Sequence, residues 1–281
     1  MRDAAGDRLV EEPARPVSEE EIARVHDPAY VEVLDEAEAR GGGSLDPDTY
    51  VVPGSVAAAR TAAGATVRAA VVAHAGQAEV AFAAVRPPGH HAARDRGSGF
   101  CLINSVAIAV ATLRAAGVER VAIVDWDVHH GDGTQAIFEA DPAVLYTSTH
   151  QFPFYPGSGA AAERGIGAGM GTSINRPLLA GDGDDAFVAA WTDELLPAVE
   201  DFGPGAIVVS AGYDGHAADP LAELTITEAG YETVARALGA VAARLAIPGV
   251  ALTLEGGYDL DALRASVAAT IRGLVAGREQ A

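Results

Sequence analysis

Asp125-Trp126-Asp127-Val128-His129-His130-Gly131-Asp132 places three carboxyl groups and two imidazoles in eight residues, directly after the apolar run Val121–Val124. So many charges are unfavourable in one small volume unless a cation compensates them. Asp127 and His129 are two apart, so in an extended segment their side chains point the same way, as two ligands of one metal require. Asp214, in Ser210-Ala211-Gly212-Tyr213-Asp214, follows a second apolar run and can add a third oxygen ligand. Two carboxylates and one imidazole leave coordination positions open for water and substrate, the mark of a catalytic site rather than a structural one.

Arg86-Pro87-Pro88-Gly89-His90-His91 supplies two further histidines, and Asp125 and Asp132 remain as carboxylates outside the ligand set. An imidazole whose Nδ1–H is held by a carboxylate is oriented, more basic and stabilised once protonated. Two such pairs beside a metal would supply a general base and an electrostatic partner. In Leu254-Glu255-Gly256-Gly257-Tyr258 the glycines permit a sharp turn, and the Tyr258 hydroxyl can donate to a developing oxyanion.

The elements that must carry these residues are legible as alternating segments. Apolar strand-like runs at 80–85, 121–124, 206–209 and 250–254 each end in one of the polar turns above. Helical stretches are predicted at 55–75, 102–116, 184–202, 227–245 and 260–276, and a capping box at Ser18–Glu21 opens a short helix through Val25. Gly41 to Gly43 mark a loop, and 150–183, rich in Gly, Pro and aromatics, reads as a long loop walling the site. Apolar strands alternating with helices predict a single three-layer α/β/α domain with a mainly parallel central sheet. Ligands of such sheets bind beyond the strands' carboxyl ends, where all four polar turns lie.

Composition narrows the partners. The 281 residues suit one α/β domain, and 49% of them are hydrophobic. The single cysteine, Cys101, excludes a cysteine-rich metal site and an internal disulfide. Every basic residue is arginine, and 19 of them face 39 acids for a net charge of −20. That balance argues against a nucleic-acid partner and favours a cationic substrate. No charge-free run of 18 apolar residues and no apolar leader is seen, so neither a membrane association nor secretion is expected, and the cytoplasm is the default.

The blocks RPPGHHA, GFCLINSVAIA, VDWDVHHGDGT, STHQFPFYPGSG, SAGYDGHAADPL and LEGGYDL, in this order from about residue 24 to the C-terminus, resemble the histone deacetylase family of the arginase/deacetylase fold. The likeness is closest to its class II branch and the bacterial relatives that include acetylpolyamine amidohydrolases. The resemblance implies Zn²⁺ held by Asp127, His129 and Asp214, with Fe²⁺ or Co²⁺ nearly as well suited to an oxygen-rich set. It implies His91 as general base paired with Asp132, His90 paired with Asp125, and Tyr258 polarising the substrate carbonyl. Gly99, Phe100 and Tyr155 would line a channel for an acyl-lysine-like arm, with Ser44 near the substrate backbone. A structural K⁺ is implied at oxygens of Asp125, Asp127, His129, Ser148 and Thr149. The expected substrate is an acetylated cationic small molecule or a protein lysine. The family's GHPERP-like opening is not found, so its first strand and the adjoining rim loop are expected to be missing, and Tyr155 replaces the commoner Phe. The alternatives weighed against this are a two-metal ureohydrolase of the same fold and an inactive module that binds acetylated amines.

Overall fold

The computed structural model describes residues 6–280. The amino-terminal part holds α1 (Glu19–Ala23), α2 (Pro28–Ala39) and a two-stranded antiparallel ribbon, β1 (Gly43–Ser44) with β2 (Tyr50–Val51). Then come α3 (Ser55–His74), β3 (Val80–Ala83), α4 (Ser105–Ala115), β4 (Val121–Asp125), α5 (Asp132–Phe138), β5 (Val144–Gln151) and β6 (Ser173–Leu178). The chain closes with α6 (Asp184–Ala189), a wider turn at Ala190–Leu195, α7 (Leu196–Phe202), β7 (Ala206–Ala211), α8 (Glu228–Arg244), β8 (Val250–Leu254) and α9 (Leu260–Gln280). β3 to β8 form one parallel sheet in the order β3-β8-β7-β4-β5-β6.

The central strands β4 and β7 are buried throughout, which is why VAIVD and AIVVSA read as continuous apolar runs. One core layer packs α3 and α4 against the sheet through residues such as Val67, Ile108 and Val121; the other packs Trp191, Leu238 and Leu274 against Val124 and Leu252. The helix α3 is long and apolar enough to cross a membrane by length and composition, yet about three-fifths of it is buried against the protein. Caps match the sequence signals. Ser18 and Glu21 form the capping box, with Glu21 N–H donating to Ser18 Oγ at 3.2 Å and Ser18 N–H to Glu21 Oε2 at 2.8 Å.

Four strands escape the sequence pattern: the short β1, which takes in Gly43 of the expected loop, its partner β2, and β5 and β6 of the main sheet. The segment 150–183 is not one loop: it opens in β5 and contains β6. β5, VLYTSTHQ, is fully buried although half polar, because its side chains find partners: Thr147 donates to Ile123 O at 3.0 Å, and Ser148 Oγ meets His150 Nδ1 at 2.9 Å. β6 carries Arg176 and Pro177, tolerable only because it is the edge strand. The predicted helix at 184–202 is interrupted by the π-type turn at Ala190–Leu195, close to Pro197, which has no N–H to continue an α-helical ladder.

Strand order reverses between β4 and β7. From β4 the chain steps outward to β5 and β6; from β7 it steps the other way to β8. Loops leaving these two neighbours diverge and open a crevice at their carboxyl ends. Asp127 and His129 leave β4 there, and Asp214 leaves β7.

His26 ties the amino-terminal layer to this body. It is fully buried, and its Nε2 accepts the Asn104 N–H at 3.0 Å. Burial pulls its pKa down to about 4. The folded state therefore prefers the neutral ring, so this contribution is complete above the ordinary value near 6.5 and is lost as pH falls toward 4. His26→Gln keeps an acceptor without the titration. Denaturant melts of both proteins at pH 7 and pH 4.5 should show the wild type losing about 2 kcal/mol more than the variant. Equal losses would contradict the assignment.

Candidate active site

At the crevice one donor atom from each of Asp127, His129 and Asp214 lies within 4.8 Å of the others. All three side chains are buried. His129 Nδ1 stands 3.1 Å from Asp127 Oδ1 and 3.2 Å from Asp214 Oδ2. The second oxygens are held by backbone: Gly256 N–H donates to Asp127 Oδ2 at 2.7 Å, and Val128 N–H to Asp214 Oδ1 at 3.0 Å. Asp214 Oδ2 is buried without a hydrogen-bond partner. Glycine at 256 is required here, since a Cβ would collide with the Asp214 carboxylate. Burial and the charge of Asp127 push Asp214 up to about 6. Two carboxylates turned toward each other, with one orphaned oxygen between them, fit a bound cation. The set Asp-His-Asp suits a divalent ion of borderline hardness.

Two imidazoles flank this cluster, each held by a carboxylate as expected. His91 Nδ1 meets Asp132 Oδ1 at 2.8 Å, and His90 Nδ1 meets Asp125 Oδ2 at 3.2 Å. Their environments separate them. Burial, then the neighbouring His90, draws His91 down to about 4. Burial also opposes charge on His90, but the carboxylates of Asp127 and Asp125 outweigh it and raise its pKa well above the ordinary value. A neutral ring beside a cationic one is the arrangement that suits a base next to an electrostatic partner. Asp125 is further fixed by the Tyr146 hydroxyl at 3.1 Å, a residue the sequence did not single out.

Opposite stands Tyr258, whose ring faces Phe100 with centroids 6.2 Å apart. Its backbone is aimed by Asp219, which accepts Tyr258 N–H at 2.6 Å and Asp259 N–H at 3.1 Å. Burial pushes the Tyr258 hydroxyl well above its ordinary pKa, so it remains a donor at neutral pH. Glu255, quoted in the sequence only as part of a motif, is fully buried and accepts N–H bonds from Gly89 and His90.

His90, His91, Asp127, His129, Asp214 and Tyr258 line one cavity of about 220 Å³, with Gly99, Phe100, Phe154, Tyr155, Leu221 and Asp48 completing its walls. Phe100 and Tyr155 are the expected aromatics, and both are partly exposed at the mouth. Tyr155 packs edge-on to His91 at 5.2 Å. Phe154 was not anticipated; it stacks on the His129 ring at 5.4 Å and 21°. Phe100 sits at φ 67°, with its N–H held by Thr49 Oγ1 at 3.0 Å. Left-handed backbone at a side-chain-bearing residue is strain that a site retains for geometry. Ser44 does not reach the cavity; its hydroxyl bonds to the Asp46 carbonyl, and Asp48, four residues on, faces the opening instead. Among the potassium candidates, Asp125 and Ser148 are register neighbours across β4 and β5. The Ser148 hydroxyl lies 2.9 Å from His150 Nδ1, and that of Thr149 accepts the Trp191 N–H at 3.0 Å.

Comparison with known proteins gives the same outline. The family described as "Histone deacetylase domain" matches residues 2–274. A probable deacetylase of Archaeoglobus fulgidus is 43% identical over 242 residues, covering 86% of this chain and 67% of that protein. The human polyamine deacetylase HDAC10 is 38% identical over 93% of this chain, which spans 40% of the human protein. The crystal structure of the HDA15 HD domain superposes with a TM-score of 0.91 at 39% identity, covering 98% of this chain and 81% of that one.

Proposed function

The chain belongs to the histone deacetylase family, and on that premise we propose that it hydrolyses the acetyl amide of cationic amines, acetyl-lysine or acetylated polyamines, with one divalent ion. The observation that carries this is the convergence of Asp127, His129 and Asp214 beside two carboxylate-held imidazoles and a tyrosine in one cavity. Asp127, His129 and Asp214 would hold the ion, zinc by the family resemblance. When bound, it supplies Lewis acidity toward the amide carbonyl and makes water more acidic.

The protein's own groups do the rest. His91, neutral at pH 7 and oriented by Asp132, takes a proton from the attacking water and later returns one to the leaving amine. The cationic His90, anchored on Asp125, stabilises negative charge gathering beside it. Tyr258 donates its O–H to the carbonyl oxygen as that oxygen becomes anionic. Phe100 and Tyr155 exclude water and admit only a narrow arm. A structural potassium ion at the oxygens of Asp125, Asp127, His129, Ser148 and Thr149 belongs to the same reading; raised thermal stability in KCl over matched NaCl would support it. Acetate release from an acetyl-lysine peptide and from acetylated polyamines, with and without a chelator, tests the whole. No chelator-sensitive release from any of them would refute it.

Charge selects the substrate. The net charge of −20 and Asp48 at the mouth attract cations. At low salt, cationic acetamides are expected to show a several-fold higher kcat/KM than neutral ones, shrinking above about 0.2 M salt as screening sets in. Asp48→Asn should reduce that preference several-fold while leaving kcat on neutral acetamides unchanged. Anionic acetamides cleaved as fast as cationic ones at low ionic strength would show the steering argument to be wrong.

A further inference from the structure

The turns after β3 and β8 carry the proposed base and the proposed oxyanion donor, and the two strands are paired neighbours, Ala83 beside Thr253. Two side chains cross between those turns in opposite directions. The Glu255 carboxylate receives Gly89 N–H at 2.6 Å and His90 N–H at 3.2 Å on one oxygen, and the Ser210 hydroxyl at 3.0 Å on the other. The Arg86 guanidinium donates to the Glu255 carbonyl at 2.6 Å and lies over the Tyr258 ring, 5.3 Å from its centroid. Neither side chain lines the cavity. The next residue continues the link: Gly256 N–H holds Asp127, and Gly256 O takes Tyr213 N–H at 3.0 Å.

We infer that Arg86 and Glu255 form a reciprocal clamp, a pair of positioning residues that sets the span between His91 and Tyr258 across the scissile amide. The inference rests on the hydrolytic roles proposed above for those two residues. Its physical basis is the network itself. A buried carboxylate with three donors has little freedom to shift, and these donors come from two elements of the site, the turn after β3 and the end of β7. An arginine bonded to the backbone of residue 255 and stacked on the ring of residue 258 limits both the turn and the ring. Without it the tyrosine keeps its neighbours but loses its aim, and misplacement by about 1 Å costs on the order of 10²-fold in rate.

The test is a double-mutant cycle on the metal-loaded enzyme. Arg86→Met is expected to lower kcat by roughly 10- to 100-fold, with KM and metal content close to wild type. Arg86→Lys, which retains one donor and the cation over the ring, should recover most of the loss. In a Tyr258→Phe background Arg86→Met should cost less than about threefold, because the hydroxyl it aims is gone. Glu255→Gln should lower kcat in the same manner through the His90 turn. A neutral Arg86→Met, a loss that simply multiplies with that of Tyr258→Phe, or a loss that follows metal content and is not relieved by lysine would each overturn the clamp. Full activity in Tyr258→Phe alone overturns the assignment of the tyrosine itself, and the clamp with it.

Discussion

Asp214→Ala is expected to leave the protein folded, free of its catalytic metal and without measurable deacetylase activity. Asp214 is one of the three proposed donors, and its buried Oδ2 accepts no hydrogen bond and faces only His129 Nδ1, 3.2 Å away. Losing the ion removes Lewis-acid stabilisation worth several kcal/mol, about 10³-fold or more in rate. The substitution also strands the Val128 N–H that Asp214 Oδ1 accepts. Asp214→Asn, which keeps an acceptor for that N–H, separates the two effects: it should retain thermal stability while still losing most of the metal. Elemental analysis of the purified proteins decides it. One catalytic ion per wild-type chain and far less than one in both variants is the expected result. Full retention, or two catalytic ions per wild-type chain as in a ureohydrolase, would contradict the assignment. Loading should also fail in acid, because ligands must shed their protons to bind and burial beside Asp127 holds the Asp214 carboxyl above the ordinary carboxylate range.

Tyr258→Phe and His91→Ala attack the chemistry without touching the ligands. Removing one oxyanion donor costs about 10²–10³ in kcat, or about 2.7–4 kcal/mol. Tyr258→Phe should therefore lower kcat by that range with KM nearly unchanged, because its bond to the substrate oxygen strengthens only in the transition state. His91→Ala should be at least as damaging, since general acid–base work contributes about 10²–10⁴. Its effect should not be rescued at high pH, because the proton must also be returned to the leaving amine. Both variants should hold the metal as the wild type does. If Tyr258→Phe stays near full activity when metal-replete, Tyr258 is a packing residue, and an inactive binding module or another donor must be considered.

Most of the site could be read from the chain because its residues sit in short segments just past strands that announce themselves. VAIV and AIVV are buried on both faces and so look apolar from end to end. The residues that escaped notice share a different character. β5 is buried yet polar, its Thr, Ser and His satisfied by partners distant in sequence, and no periodicity reports such partners. Glu255 and Tyr146 hold other residues rather than substrate, and their roles exist only as hydrogen bonds across the fold. Phe154 was passed over for its neighbour Tyr155, since spacing alone does not tell that two adjacent aromatics both turn toward the imidazoles. The rim was hard to read for a related reason. Ser44 and Asp48 flank one tight loop, and only its folded geometry shows which of them faces the opening.

The reversal of strand order between β4 and β7 also has a temporal side. The first two proposed ligands and the third follow strands that touch in space but lie far apart in the chain, with Val128 and Asp214 bonded across 86 residues. Parallel pairing over such a separation is slow, because a long loop must close before any contact rewards it. On the ribosome, Asp127 and His129 emerge well before Asp214, and a nascent chain holding only those two has no pocket to offer an ion. Capture of a metal by the three proposed ligands would thus be a late event in the maturation of the protein, reporting that the two halves of the sheet have found each other.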